Sequence, residues 1–181
     1  MMKWIAVSGS LRRDSFNTRL TRTLAARAPE GVTVACATLH GIPLYDGDLE
    51  ERDGVPEAVE ALRQRICDAD GLILATPEYN GGMPGVFKNA LDWLTRPPEV
   101  MGPTFANRPT ALCGATPGGL GTTLAQAGSL VTLRQLKVAL FPDHLRISQA
   151  GDALGEAGPE DRTARQIDRW LRGFAEFAER G

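Results

Sequence analysis

The sequence predicts an α/β protein with a doubly wound, five-stranded parallel sheet sandwiched between two layers of helices. Three observations carry that prediction. Short apolar runs alternate with longer helical patterns about five times; the run Gly71-Leu72-Ile73-Leu74-Ala75 is apolar throughout; and no block of hairpins interrupts the alternation. A strand covered on both faces reads as a continuous apolar run, and strand–helix alternation is resolved most simply by right-handed crossovers.

Taken in order, Trp4-Ile5-Ala6-Val7 is a buried strand ended by the turn signal Ser8-Gly9-Ser10. Phe16, Leu20, Leu24 and Ala28 then form one stripe of a helix, which Pro29-Glu30-Gly31 ends. Val32 to Cys36 is the second strand, followed by a loop through Gly41-Ile42-Pro43-Leu44-Tyr45-Asp46-Gly47-Asp48. Pro56 stands where a helix can begin, and Val59, Leu62 and Ile66 continue on one face. Gly71 to Ala75 is the third strand. After Pro84 a helix turns Phe87, Leu91 and Leu94 inward. Thr110 to Ala115 is the fourth strand, a helix spans about Thr122 to Leu136, and a weaker strand lies near Val138 to Phe141. Gln149 to Pro159 reads as a surface loop, and the last helix carries Ile167, Trp170, Leu171, Phe174 and Ala178 on one side. With 181 residues, positions 1–181 are expected to form one domain.

Composition narrows the function classes. A formal net charge of −2 gives no basic excess for nucleic acid, and no apolar run approaches the roughly 20 residues that cross a bilayer. Cys36, Cys67 and Cys113 are odd in number and set among apolar neighbours, the expectation being buried free thiols in a reducing compartment, hence a cytoplasmic protein. With only His40 and His144 besides, no metal cluster can be drawn.

Three loops follow strands one, three and four. The first, Gly9 to Thr18, brings Ser10, Ser15, Asn17 and Thr18 to a helix N-terminus, where unpaired N–H groups and the positive dipole end suit a phosphate monoester. A plain helix cap with Ser15 at the N-cap fits the same residues. Neither Gly-x-Gly-x-x-Gly nor the Walker pattern is present, and a Gly-x-Ser-x-Gly elbow is missing too. The second loop, Thr76 to Gly85, has prolines and glycines that let backbone approach a flat ring, or simply turn. The third, Thr116 to Thr123, has three glycines and is a weak signal alone. In the flavodoxin-type strand order 2-1-3-4-5, all three leave one carboxyl edge, and the first two flank the switch point where ligands bind.

The stretches Gly9-Ser10-Leu11-Arg12 with Ser15-Phe16-Asn17, and Thr76-Pro77-Glu78-Tyr79-Asn80 with Pro84-Gly85-Val86-Phe87-Lys88-Asn89-Ala90-Leu91-Asp92-Trp93, closely resemble the NADPH-dependent FMN reductase family. Ile42-Pro43-Leu44-Tyr45-Asp46 is similar to that family's second-strand loop. The resemblance implies a flavodoxin-like fold, noncovalent FMN, NADPH or NADH as donor, a small-molecule electron acceptor such as a quinone, azo compound, chromate or free flavin, and assembly into a homodimer or homotetramer. The implied reaction is two-electron, ping-pong hydride transfer with no side chain as nucleophile, so no catalytic residue is named.

By position, the resemblance puts Ser10, Arg12, Ser15, Phe16, Asn17 and Thr18 around the phosphate and ribityl chain. Pro77, Glu78, Tyr79, Asn80 and Gly81 fall at the ring, and Thr116, Gly118 and Gly119 at the third contact loop. Gly81-Gly82 and the third loop depart from the family pattern, from which a wider or more flexible pocket wall is expected. Tyr79 fits either ring contact or a packing wedge, and Arg12 either phosphate or solvent. Asp92 and Trp93 are expected to serve helix and interface structure, and Trp170 and Phe174 the core. Two competing classes are an electron carrier without its own NAD(P)H activity, which usually needs a more acidic surface, and a binding module without catalysis.

Overall fold

The computed structural model describes residues 1–180. Its elements in chain order are β1 (Met2–Ser8), α1 (Phe16–Ala26), β2 (Val32–Ala37), α2 (Gly47–Asp53), α3 (Glu57–Cys67), β3 (Gly71–Ala75) and α4 (Gly85–Trp93). A single 3-10 turn (Pro98–Val100) leads into α5 (Met101–Phe105), then β4 (Pro109–Ala115), α6 (Thr123–Gln135), β5 (Ala139–Leu140) and β6 (Leu145–Ile147). The chain finishes with α7 (Ala150–Ala153), a small hairpin β7 (Leu154–Gly155) and β8 (Gly158–Pro159), and α8 (Asp161–Ala178).

The main sheet runs β2-β1-β3-β4-β5, every pair parallel, as the alternation predicts. Its fifth position is shared. β5 pairs with the start of β4 (Thr110↔Leu140) and β6 with its end (Cys113↔Leu145 to Ala115↔Ile147), because Pro142 falls between them and a proline cannot donate to a ladder.

Alternate residues of the central strands feed two separate cores. Trp4, Ala6, Ile73, Ala75, Ala111 and Cys113 pack under α1 and α8, with Leu20, Leu24, Ile167, Trp170 and Phe174. Ile5, Val7, Leu72, Leu74 and Leu112 pack on the other face with Val59, Leu62, Phe87, Leu91, Phe105 and Leu133. Burial on both faces is why these strands lack the apolar/polar alternation of a half-wet sheet.

Several expectations need correction. A helix follows Asp46, where the sequence predicts loop through Gly47-Asp48; Asp46 accepts the Asp48 N–H as an N-cap, and Asp48 and Glu50 face the helix's positive end. Its residues are all at least partly exposed, so no apolar stripe announces it. Gln149 to Pro159 is not a surface loop: Ala150, Ala153 and Leu154 are buried in the core beneath α1 and α8. α1 stops at Ala26, so Ala28 lies beyond the helix. Of the three free thiols only Cys113 is buried, and burial pushes its pKa up; Cys36 is exposed and Cys67 half-buried. Both sit at ends of surface-lying elements whose other residues, not the cysteines, turn inward. Trp93 is fully buried within the chain, where its Nε1–H donates to Pro43 O at 2.9 Å, so it serves the fold and not an outer face.

Candidate functional site

β1, β3 and β4 end side by side, at Ser8, Ala75 and Ala115, and the three loops leave from there. Two backbone bonds carry the ladder one step further: Gly9 N–H donates to Ala75 O at 2.8 Å and Thr76 N–H to Cys113 O at 2.9 Å. A Cβ on Gly9 would stand 2.7 Å from Phe87 Cδ1 and 3.1 Å from Pro77 Cδ, so only glycine lets the first loop pass beneath the second.

Where β3 gives way to Pro77, which has no N–H, β4 still needs a partner. Asn17 supplies it. Its amide donates to Ala115 O and accepts from Ala115 N–H, both at 2.9 Å, taking the place of a neighbouring strand's peptide group. The start of α1 is thereby tied to the end of β4, 98 residues away in sequence.

Ser15 is the α1 N-cap. Its Oγ accepts from Asn17 N–H at 3.2 Å and Thr18 N–H at 3.3 Å. Thr18 itself faces inward, its hydroxyl 2.9 Å from that of Ser8, and does not line the cleft. The rest of the first loop is rich in free donors. Among the described residues, the N–H groups of Ser10, Leu11, Arg13, Asp14 and Phe16 have no acceptor, and the Arg12 guanidinium has no ion-pair partner.

A single cleft collects these groups. Ser10, Arg12, Ser15, Phe16 and Asn17 line one end of it, Pro77, Glu78 and Tyr79 another side, and Ala115, Thr116 and Pro117 close it. Ser10 and Ser15 are only 3% and 6% exposed, yet both border this opening. Asn80, Gly81, Gly118 and Gly119 stand outside its lining.

The second loop is firmer than the Gly81-Gly82 pair suggests. Tyr79 and Gly82 exchange two backbone hydrogen bonds of 3.1 Å, and Asn80 and Gly81 between them have φ of 53° and 74°. That is the Asn-Gly signature of a tight two-residue turn with both central residues left-handed. The expected flexible wall is thus a closed hairpin, with Tyr79 54% exposed beside the cleft.

Glu78 has a task the sequence did not reveal. Its Oε2 accepts from the N–H groups of Leu124 at 2.8 Å and Ala125 at 3.0 Å, the second and third residues of α6. The residue in the N-cap position, Thr122, is left-handed and makes no side-chain cap, so a carboxylate from another loop closes the helix end.

The third loop is held from behind. Gln149 N–H donates to Gly118 O and Ser148 Oγ to Gly119 O, at 3.0 and 2.8 Å. Of its glycines only Gly121 is conformationally required, with φ of 57° and Arg146 Cβ 2.8 Å from its would-be Cβ. Gly114 in β4 is more demanding still: a Cβ there would meet Thr122 Oγ1 at 1.9 Å and Thr76 O at 2.5 Å. Ala115, Gly114 and Ser148 carry no motif, so nothing in the sequence singles them out. Further out, Asn89 donates to Pro43 O and accepts from Tyr45 N–H, both at 2.8 Å, so the Lys-Asn-Ala-Leu-Asp-Trp stretch fastens the loop after β2.

Comparison with known proteins agrees with this architecture. The chain is 39% identical over 163 residues to a 2-hydroxy-1,4-benzoquinone reductase of a Burkholderia species, covering 86% of this chain and 87% of that one. It is 38% identical over 182 residues to an NAD(P)H-dependent FMN reductase of Pseudomonas aeruginosa, covering 99% and 96%. Among solved structures it superposes on the NAD(P)H:acceptor oxidoreductase FerB of Paracoccus denitrificans with a TM-score of 0.85 at 29% identity, covering 99% and 98%. An archaeal flavodoxin, at 13% identity and a TM-score of 0.62, shares the fold alone. A family model described as NADPH-dependent FMN reductase matches residues 2–152, and with these relatives it establishes that the chain belongs to the NADPH-dependent FMN reductase family.

Proposed function

We propose that this chain holds FMN noncovalently along the cleft and passes electrons from NADPH or NADH to quinones and similar small acceptors. When bound, FMN would supply two-electron redox chemistry. One observation carries the assignment of the site. Five N–H groups and an arginine without partners among the described residues gather with two nearly buried hydroxyls at the N-terminus of α1, bordering the same opening as Pro77 to Tyr79.

Each group has a job under this reading. The first-loop N–H groups, Ser10, Ser15 and Arg12 neutralise a phosphate of roughly −1.5 to −2 charge at the positive end of an 11-residue helix. Phe16 and the main chain of Thr116 flank the ribityl chain. Pro77, Glu78 and Tyr79 orient the ring and keep water from one side of it, Thr116 and Pro117 form the opposite wall, and Asn80, Gly81, Gly118 and Gly119 lie beyond that lining, where the ring's outer edge would reach them. Asn17 and Thr18 hold this frame from within. No side chain is needed as nucleophile or obligatory acid.

Residues 1–181 act as a single FMN-binding domain under this reading, in a cytoplasmic protein. Among the described residues no helix is long and apolar enough to cross a membrane. The chain assembles as a homodimer or homotetramer: Leu120, Leu124 and Val131 are 63%, 51% and 78% exposed, and the Gly81 hairpin borders Leu124. Light scattering of the purified protein checks the assembly.

The function is tested by spectrum. Purified protein saturated with FMN and freed of excess should be yellow, and NADPH or NADH should bleach it without air; a quinone should then restore the colour. Protein that stays colourless after excess FMN refutes the assignment. Bleaching only through an added partner protein would turn it into an electron carrier.

A further inference from the structure

Glu78 is a charged group spent on an uncharged task. Capping α6 needs only an acceptor, which a neutral side chain can supply. Here the N-cap residue is left-handed and its hydroxyl instead accepts from Gln126 Nε2 at 2.9 Å. The cap comes from the second loop, as a full carboxylate in the cleft wall. A helix N-terminus offers about half a positive charge, and the carboxylate brings a whole negative one. About half a negative charge is therefore left over beside the cleft. Both hydrogen bonds go to Oε2; Oε1 has no partner among the described residues.

We infer that Glu78 is a positioning and tuning residue for the flavin: it fastens the second loop to α6 and its surplus negative charge lowers the midpoint potential of bound FMN. This rests on the proposed function. Reduction adds negative charge to the ring, and a like charge in the adjacent wall disfavours it. Glu78 forms no salt bridge among the described residues, and the one arginine that shares its cleft, Arg12, is assigned to the phosphate.

The experiment compares Glu78→Gln, Glu78→Ala and Glu78→Asp with the wild type, each at saturating FMN, by redox titration of the bound flavin. The FMN-free proteins are melted in parallel. Glu78→Gln keeps an acceptor for the α6 N–H groups and removes the charge. Its melting temperature should stay within about 2 °C of wild type, and the ratio of reduced to oxidised flavin at a fixed potential should rise about tenfold, roughly 30 mV for a two-electron couple. Glu78→Ala should show the same rise in potential and melt about 2–4 °C lower, since the cap is gone. Glu78→Asp keeps the charge but shortens the reach, so its melting point should fall with the potential near wild type. Wild-type and Glu78→Gln proteins that both bind FMN at equal potentials would overturn the inference while leaving the proposed function standing. Wild-type protein that takes up no FMN would overturn both.

Discussion

Asn17→Ala isolates the bond on which the cleft's geometry depends most. The substitution removes both hydrogen bonds to Ala115, each 2.9 Å long, from a side chain only 3% exposed. It leaves the N–H and C=O of Ala115 without those partners at the end of β4, itself 3% exposed. An unsatisfied buried group costs about 1–3 kcal/mol. Because the cleft lies alongside and can admit water, the lower part of that range applies, giving about 2–4 kcal/mol for the pair. For a chain of this size each kcal/mol moves the midpoint by about 2–4 °C, so a drop of about 5–15 °C is expected. The assay is thermal unfolding of FMN-free protein, since bound ligand would add its own stabilisation to both forms. Flavin retention after dialysis should fall as well, because the first loop is no longer anchored to β4. An FMN-free variant melting within about 1 °C of wild type would refute the view that Asn17 is a structural cross-link, and would return it to the role of a simple phosphate contact.

The glycines separate just as sharply. Gly114→Ala puts a methyl 1.9 Å from Thr122 Oγ1 and should cost about 3 kcal/mol or more, read as loss of soluble protein or a large fall in melting temperature. Gly119→Ala, whose Cβ would meet nothing within 4 Å, should leave FMN-free stability unchanged, so any loss of flavin retention reports contact with the ligand alone. Gly82→Phe should be accepted by the fold, its nearest neighbour being Tyr79 O at 3.9 Å, and should change acceptor turnover more than flavin affinity; equal losses in both would count against Gly82 as part of the acceptor's wall. The bidentate Arg27–Asp168 pair joins α1 to α8, and the Arg27 hydrogen bonds hold the Asp168 pKa below its ordinary value. A depressed carboxylate pKa stabilises the fold above the unfolded-state value and loses that contribution as pH falls through the folded one. Both side chains are about one-third exposed, so Asp168→Asn should cost no more than about 1 kcal/mol at neutral pH, and the variant and wild type should converge in stability in acid.

Much of the fold was legible because both its cores are drawn from strands and helices with clear periods. β3 matches its apolar run residue for residue, and the inward stripe of α3 is Val59, Leu62 and Ile66 as the spacing requires. What stayed hidden lacked that signal. α2 buries no residue, β6 is three residues long, and the hairpin of β7 and β8 is recognised only by what it covers. The candidate site divides in the same way. Ser10, Ser15, Phe16, Pro77 and Tyr79 were named by motif and do meet in one cleft. The motif could not tell which of its polar groups face a ligand and which face the protein.

The amino-acid sequence by itself determined the alternation of strands and helices, because hydrophobic period is a local property, and its short motifs carried the resemblance that implies the family, the strand order and the common edge of the three loops. Only the tertiary structure decided the division of labour within those loops. Asn17 and Glu78 lie in motifs that look alike in polarity, yet one replaces a strand's peptide group for Ala115 and the other closes a helix that begins 45 residues later. The physical reason is that a polar side chain's role follows from which backbone group is left unpaired near it. That is settled by where β3 stops, how Thr122 is twisted and what Gly9 and Gly114 allow to pass, and none of these is written in the spacing of residues.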